Sequence, residues 1–458
     1  MEDRVSIGMC LYFGLLYNSG GNCQSYYGKA NFEETAAMAG VTGQDIVRCK
    51  ANLMDMKISV ISSHKISVRA VVLVTVSAEE IYDREVIKKI EMDNVRDERL
   101  EVRMMKLIAN RKDTFRIRES VNINQGMSNI GEIIWQELRV KDLCFTPADG
   151  RIDVKGNLSF FVIYQGENGG ELNYYDNVVP FSGSLDISNG RQEDVYDINI
   201  VSCEKSLISR NDGNGETRIF DGEIIMSLDI CGYRNEDVSL LTDIYAPGYE
   251  ITPKTEKLEY ERLVENKVVD IDINERIKNE DGGKIIYTCG DVIVDEIIQK
   301  DNKVDIEGTI SVQIMMEDKD AMPPITVSHH DIPFSYQAGM DKYEKDSELC
   351  GKVNNISLYS KRISDKEISV NGTIKMEIMA KSTTTTPVVI NADVEKVPKE
   401  KLKNIPGITG YIVKEGDTLW NIAKRFYTTA DSIMEANNLE NDMIYPGMKL
   451  IILKLYCF

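Results

Sequence analysis

Between Arg151 and Tyr164 apolar and polar residues alternate, so that Ile152, Val154, Gly156, Leu158, Phe160, Val162 and Tyr164 share one face. A period of two is that of a β-strand with one covered face, and Gly156 marks a kink within it. The register recurs at Val304, Ile306, Gly308, Ile310, Val312, Ile314 and Met316, and at Val5, Ile7, Met9, Leu11, Phe13, Leu15 and Tyr17. Self-similarity of this length marks an internal repeat. A polar turn and a second anchor follow each strand: Asn31-Phe32, Pro180-Phe181 and Pro333-Phe334. A third anchor follows at nearly fixed spacing, with Ala70 38 residues after Phe32, Gly372 38 after Phe334 and Gly222 41 after Phe181. Around it run further alternating stretches, Ile66 to Val76, Ile219 to Ile230 and Ile368 to Met379, rich in β-branched residues. The pattern predicts a mainly β protein built of three antiparallel β-rich repeats.

Charged stretches at Leu100 to Glu119 and Leu258 to Glu275 align with each other and predict the opening strands of the second and third copies, followed in the second by a short helix around Ile130 to Trp135. The first copy shows neither, because Met1 stands directly before its long strand. It is expected to be truncated at its N-terminus, with one or more strands missing, or else to be a degenerate copy, and the sequence leaves both open. Ser382 to Pro387 (STTTTP) breaks the periodicity, and the proline-bearing, charged stretch after it reads as a linker. The expected domains are residues 1–96, 97–254 and 255–381 for the repeats, 382–408 for the linker and 409–454 for a C-terminal module.

That module reads strand, helix, helix, strand. Tyr411 to Val413 is a short strand, Gly416-Asp417 a turn, and Thr418 an N-cap before Leu419, Ile422, Ala423 and Phe426 at helical spacing. Thr429 caps a second helix carrying Ile433, Met434 and Ala436, and Asn437-Asn438 stops it. Pro446-Gly447 then turns into Leu450 to Ile452. The segments YIVKEGDTLWNIAKRF, IMEANNL and IYPGMKLIIL resemble a LysM domain over its full length. Together with the three repeats and the linker, the chain resembles the SipL-type spore coat morphogenetic proteins, whose repeats are called SPOCS domains.

The resemblance implies a non-enzymatic scaffold in the mother-cell cytoplasm at the forespore surface, part of the spore coat. It docks there onto the spore coat morphogenetic ATPase of the basement layer, partly through LysM. LysM domains that bind N-acetylglucosamine polymers use a shallow groove between two loops. Those positions here are Gly416, Asp417, Thr418 and Leu419 on one side and Ile444, Tyr445, Pro446 and Gly447 on the other, with Trp420 beside them as a contact residue. The same residues also form the turn and cap that the fold itself requires, so glycan binding, protein contact and a purely structural role remain open. Trp135, the other tryptophan, is expected as a core plug at a repeat boundary.

Composition narrows the partners. With 54 Lys and Arg against 74 Asp and Glu the chain carries a formal charge of -20, which repels nucleic acid and anionic lipid. No uncharged apolar run approaches the roughly 18 residues that span a bilayer, so no direct membrane insertion is expected. Nine cysteines stand singly without a CxxC pair, which argues against a disulfide framework or a zinc knuckle. His64, His329 and His330 cannot build an HExxH site, no GxSxG occurs, and Gly282-Gly283-Lys284 lacks the rest of a P-loop. Asp270, Asp272 and Asn274 imitate the start of a calcium loop without the glycine it needs. Neither a catalytic residue, a metal nor a cofactor is expected. A cell-wall or cortex protein binding peptidoglycan through LysM is the alternative to the coat scaffold. Exposed edge strands of such β domains are places where a partner can add a strand.

Overall fold

The structure is a computed structural model that describes residues 3–20, 22–62, 64–279, 282–318, 324–342, 344, 347–398, 400, 401 and 404–454. The alternating segments are strands throughout. In the second repeat β6 (Ile130–Ala148), β7 (Arg151–Gly166) and β8 (Leu172–Asp186) form one three-stranded sheet. Its companion holds β5 (Arg96–Asn122), β10 (Thr217–Tyr245) and β9 (Val195–Asn211), with β10 central. The third repeat has the same topology. There β12 (Lys284–Lys300), β13 (Lys303–Glu317) and β14 (Ile325–Gly339) make one sheet, and β11 (Tyr249–Lys278), β16 (Glu367–Lys396) and β15 (Glu348–Ser364) the other. In each repeat the inner faces share a core, with Ile152, Phe160 and Tyr164 meeting Phe220, Ile224 and Met226 in one, and Val304, Ile310 and Ile314 meeting Ile368, Ile374 and Ile378 in the other.

The sequence anchors are cross-strand partners. Gly156 lies opposite Phe181, Gly308 opposite Phe334, and Met9 opposite Phe32. Gly222, Gly372 and Ala70 in turn face Leu207, Leu358 and Met56. The reason for glycine is steric: a Cβ on Gly156 would stand 2.7 Å from the Phe181 ring, and one on Gly308 2.5 Å from the Ile293 carbonyl oxygen and 2.7 Å from the Phe334 ring.

In the first repeat β1 (Arg4–Ser19) pairs with β2 (Asn22–Ala37), and β3 (Ile46–Ser62) with β4 (Lys65–Glu79), as two separate two-stranded sheets. By register they are the counterparts of β7, β8, β9 and β10. Counterparts of β5 and β6 are not among the described residues.

Two expectations are corrected. Ile130 to Trp135 is not a helix but the start of β6. Register shifts between Ile130 and Glu132 and between Ile133 and Trp135 rotate the strand, so buried Ile130, Ile134 and Leu138 fall four residues apart and imitate a helical stripe. Ser382 to Lys396, read as linker, continues β16 as strand. Its threonine run is β-branched, and Val388 and Val389 are buried against residues such as Val102, Leu240 and Ile244.

By compactness the chain forms two units, Met1–Tyr82, Lys106–Arg234 and Leu263–Ser382 in the first, and Asp83–Met105, Asn235–Arg262 and Thr383–Phe458 in the second. Within the first unit the contacts between the three repeats include an apolar and a polar junction. One is apolar: Trp135 stacks on Tyr27 at 5.7 Å, whose hydroxyl accepts the Gln136 N–H at 2.9 Å, and Phe161 stacks on Tyr287 at 4.1 Å. Trp135 thus fills a repeat boundary. The other is polar. Arg48 of the first repeat pairs with Asp197 of the second, donates to Tyr233 Oη at 2.5 Å and lies 3.8 Å from Glu79. From the third repeat Lys352 reaches Asp197 at 3.4 Å and Lys381 reaches Glu79 at 3.6 Å, over the Tyr233 ring. Burial works against the Arg48 charge, but Asp197, Tyr233 and Glu79 outweigh it and hold the guanidinium charged, whereas burial dominates at Lys352 and pulls its ammonium below the usual lysine value.

Removing one member of such a network leaves its partners desolvated and uncompensated. Arg48→Met is expected to lower stability by about 3 kcal/mol in urea unfolding, while Arg48→Met combined with Asp197→Asn recovers part of that loss. Gly308→Ala is expected to cost about 2 kcal/mol by overpacking. Gly8→Ala, where an added Cβ meets nothing within 4 Å, should change stability by less than about 0.5 kcal/mol.

Candidate functional site

The C-terminal candidate groove sits on a small module in the second unit. β17 (Ile408–Ile412) and β18 (Lys449–Leu453) pair antiparallel, with α1 (Leu419–Arg425) and α2 (Ala430–Asn437) packed on one face of the pair. Thr418 Oγ1 accepts the Asn421 N–H at 3.1 Å and Thr429 Oγ1 the Ser432 N–H at 3.1 Å, so both helices begin on the threonine caps that the sequence predicts. Asn438, in the left-handed region at φ 53°, ends α2.

Two backbone bonds hold the groove loops side by side. Gly447 N–H donates to the Val413 carbonyl at 2.8 Å, and Val413 N–H to the Met448 carbonyl at 2.9 Å. Gly416 and Gly447 take φ values of +82° and +90°, which is why glycine stands at both turns. The nine predicted positions then divide. Leu419 is only 2% exposed and belongs to the core with Ile422 and Ile433, and Ile444 packs against that core. Asp417 accepts from Tyr411 Oη at 2.7 Å and from the Lys414 N–H at 2.8 Å, and these bonds hold its carboxyl below the usual range. The Thr418 oxygen is occupied by capping. Gly416, Tyr445, Pro446 and Gly447 remain open to solvent, with the Tyr445 ring 66% exposed. Chemically this leaves an aromatic ring and turn backbone, not a set of free polar side chains.

Trp420 is engaged by its own chain. Its indole N–H donates to Asp243 Oδ2 at 2.8 Å, and its ring meets Tyr245 edge-on at 4.7 Å. Lys424 Nζ donates to both Asp243 oxygens, at 2.6 and 2.9 Å. Asp243 and Tyr245 end β10, and Tyr245 is part of the module's core. No sequence motif marked them. The available signal was the i, i+4 pair Trp420 and Lys424, which places both side chains on one helix face.

The LysM domain family model matches residues 411–453, and the SipL, SPOCS domain model matches residues 129–204. The chain carries a SPOCS domain and a LysM domain. The SPOCS match covers β6, β7, β8 and the start of β9, half of the second repeat's strands and part of a fourth. Similar curated proteins include a probable N-acetylmuramidase of Lactococcus lactis subsp. cremoris (strain MG1363), 48% identical over 44 residues that are 10% of either chain. A probable endopeptidase p60 of Listeria monocytogenes serovar 1/2a is 56% identical over 39 residues, 8% of either chain. A probable autolysin of Staphylococcus aureus is 34% identical over 44 residues, 10% of this chain and 17% of that protein. The chain spans about a tenth of the length of the first of these relatives, and the likeness to these enzymes is confined to the LysM part. No solved structure matches.

The LysM domain is therefore held at its tryptophan face while its Tyr445 loop is open. Burial alone pushes the Asp243 carboxyl up, but hydrogen bonds from Lys424, Trp420 and the Ile244 N–H outweigh it and hold the carboxyl below its usual value. A depressed carboxylate contributes stability that is fully present above the unfolded value, about 3.9, and is lost as pH falls through the lower folded value. Asp243→Asn is expected to destabilise the LysM anchorage by about 2 kcal/mol at pH 7, read from Trp420 fluorescence during urea unfolding in a Trp135→Phe background. The difference between the two proteins should shrink as pH falls below the unfolded carboxylate value of about 3.9 and through the lower folded one.

Proposed function

We propose that the chain is a non-enzymatic scaffold of spore coat assembly that works in the mother-cell cytoplasm at the forespore surface. Its LysM domain docks onto the coat morphogenetic ATPase, and its β repeats supply further contacts. The observation that carries this reading is the state of the groove. Its polar side chains serve the fold, with Asp417 bonded to Tyr411 and Thr418 capping α1, and what it presents is apolar: Tyr445 next to Met443, 74% exposed. Ile408, Ile412, Ile451 and Leu453 are also exposed, on the face of β17 and β18 away from the helices. Exposed aromatic and aliphatic side chains beside a rigid turn suit a protein partner. The pairing of a SPOCS domain with LysM in one chain agrees with a coat role, and linked weak contacts give the avidity that surface coating needs.

A second reading, glycan binding in the wall or cortex, is favoured by the Tyr445 ring, which can cover a sugar face, and by relatives named as wall-degrading enzymes. One pair of titrations separates the two. The full-length chain, which keeps Asp243 and Tyr245 under the LysM domain, is titrated with the coat ATPase and with an N-acetylglucosamine hexamer. The expected result is micromolar binding to the ATPase, weakened at least ten-fold by Tyr445→Ala, and no saturation by the hexamer at 1 mM, roughly the −4 kcal/mol limit. Saturable hexamer binding that Tyr445→Ala abolishes, with the ATPase inert, would transfer the function to the wall or cortex.

A further inference from the structure

One sheet of each repeat is bounded by an equivalent edge strand, and the three edges differ at one position. β2, β8 and β14 each have a single neighbour among the described residues, β1, β7 and β13, so this edge lacks backbone pairing in all three repeats. The phenylalanine anchors set their common register, with Phe32 opposite Met9, Phe181 opposite Gly156 and Phe334 opposite Gly308. The residue before the anchor is Pro180 on β8 and Pro333 on β14, but Asn31 on β2. Proline has no N–H to give a further strand, so it blunts an edge against strand addition. β8 and β14 are thus protected near their middles. β2 carries no proline from Asn22 to Ala37, and its Lys29, Asn31 and Glu33 are all exposed.

The backbone of β2 is turned the right way for pairing. Ser19 lies opposite Asn22 across a two-residue connection, and the pair that closes such a hairpin exchanges backbone hydrogen bonds. Bonding then alternates, so Asn22, Ala30 and Phe32 address β1, whereas Lys29, Asn31 and Glu33 turn their N–H and C=O groups to the open edge. Proline at the position of Asn31 in β8 and β14 agrees with that direction. Tyr27 is committed to Trp135 and Gln136 of the second repeat, which leaves the stretch after it as the free part of the edge.

The charges about Asn31 complement themselves. When two β2 strands run antiparallel with Asn31 opposite Asn31, Lys29 of each copy stands opposite Glu33 of the other, and Ala30 opposite Phe32. The twofold operator makes the opposite-charge cross-strand pair on both sides of the centre. The counterpart positions are Val178 and Ser182 on β8 and Asp331 and Ser335 on β14, which form no such pair.

We infer that β2 is a self-association surface, through which two copies of the chain pair edge to edge and antiparallel, centred on Asn31 with Lys29 and Glu33 setting the register. A second copy is the occupant because the edge carries its own complement at the required spacing. The contact is small beside a standard interface of roughly 1,600 Å², so the dimer is weak and reversible. It closes on itself, and it doubles every other binding site of the chain, which raises avidity for whatever partner those sites take.

The test is analytical ultracentrifugation of the full-length chain at 0.15 M salt, where a Debye length of about 8 Å screens the repulsion between copies of charge -20. The expected result is a monomer–dimer equilibrium with a Kd of about 10–50 μM, and slower amide exchange over residues 28–34 at high concentration. Asn31→Pro gives β2 what β8 and β14 already carry. It should weaken dimerisation at least about ten-fold while the unfolding midpoint stays within about 3 °C. Lys29→Glu sets Glu against Glu33 and should also weaken the dimer about ten-fold, and K29E/E33K, with the signs exchanged, should recover it. Should Asn31→Pro unfold the repeat, these two variants at exposed side chains decide alone. A chain that stays monomeric up to about 200 μM, a dimer that the folded proline variant leaves intact, or a double variant no tighter than K29E would overturn the inference. So would growth beyond dimers, which a closed twofold pair forbids.

Discussion

A β-sandwich core closes only when each sheet is wide enough to cover the other, and among the described residues each sheet of the first repeat has two strands where those of its companions have three. Its inward residues are the right kind, Val5, Ile7, Leu11 and Phe13 on one hairpin and Val68, Val72 and Val74 on the other, yet of these only Ile7 is buried. The hairpins are held from outside. Tyr27 stacks on Trp135, and Arg48 and Glu79 enter a charge network completed by Asp197, Tyr233, Lys352 and Lys381. A buried ion network is a poor source of net stability against an apolar alternative. Its use here is register: each repeat contributes two members, and a shift of one residue in β3 would point Arg48 at the opposite face.

The strand architecture was legible because period two survives wherever one face is covered and the other wet. Gly156 and Gly308 could be singled out by position, and the structure supplies the reason, a phenylalanine ring lying across the strand where a methyl group would be. The failures share one physical origin. At Ile130 to Trp135 two register shifts move the buried side chains from a two-residue to a four-residue spacing, and no local propensity distinguishes that from a helix. At Ser382 to Lys396 the threonines look like a linker because they carry no alternation, although β-branched side chains suit a strand and Val388 and Val389 find cover in segments more than a hundred residues away. Both are cases of tertiary contacts overriding a local pattern.

The LysM domain shows the same limit at the level of function. Its caps, turns and closing strand were readable, because Thr418, Thr429, Gly416 and Gly447 act through neighbouring backbone. What the groove offers a ligand was not readable, since that depends on which polar atoms are already used. Asp417 and Thr418 are spoken for within the domain, and Trp420 by Asp243, 177 residues away in sequence. Sequence marks which residues such a fold employs; geometry decides which of them are left to meet a partner.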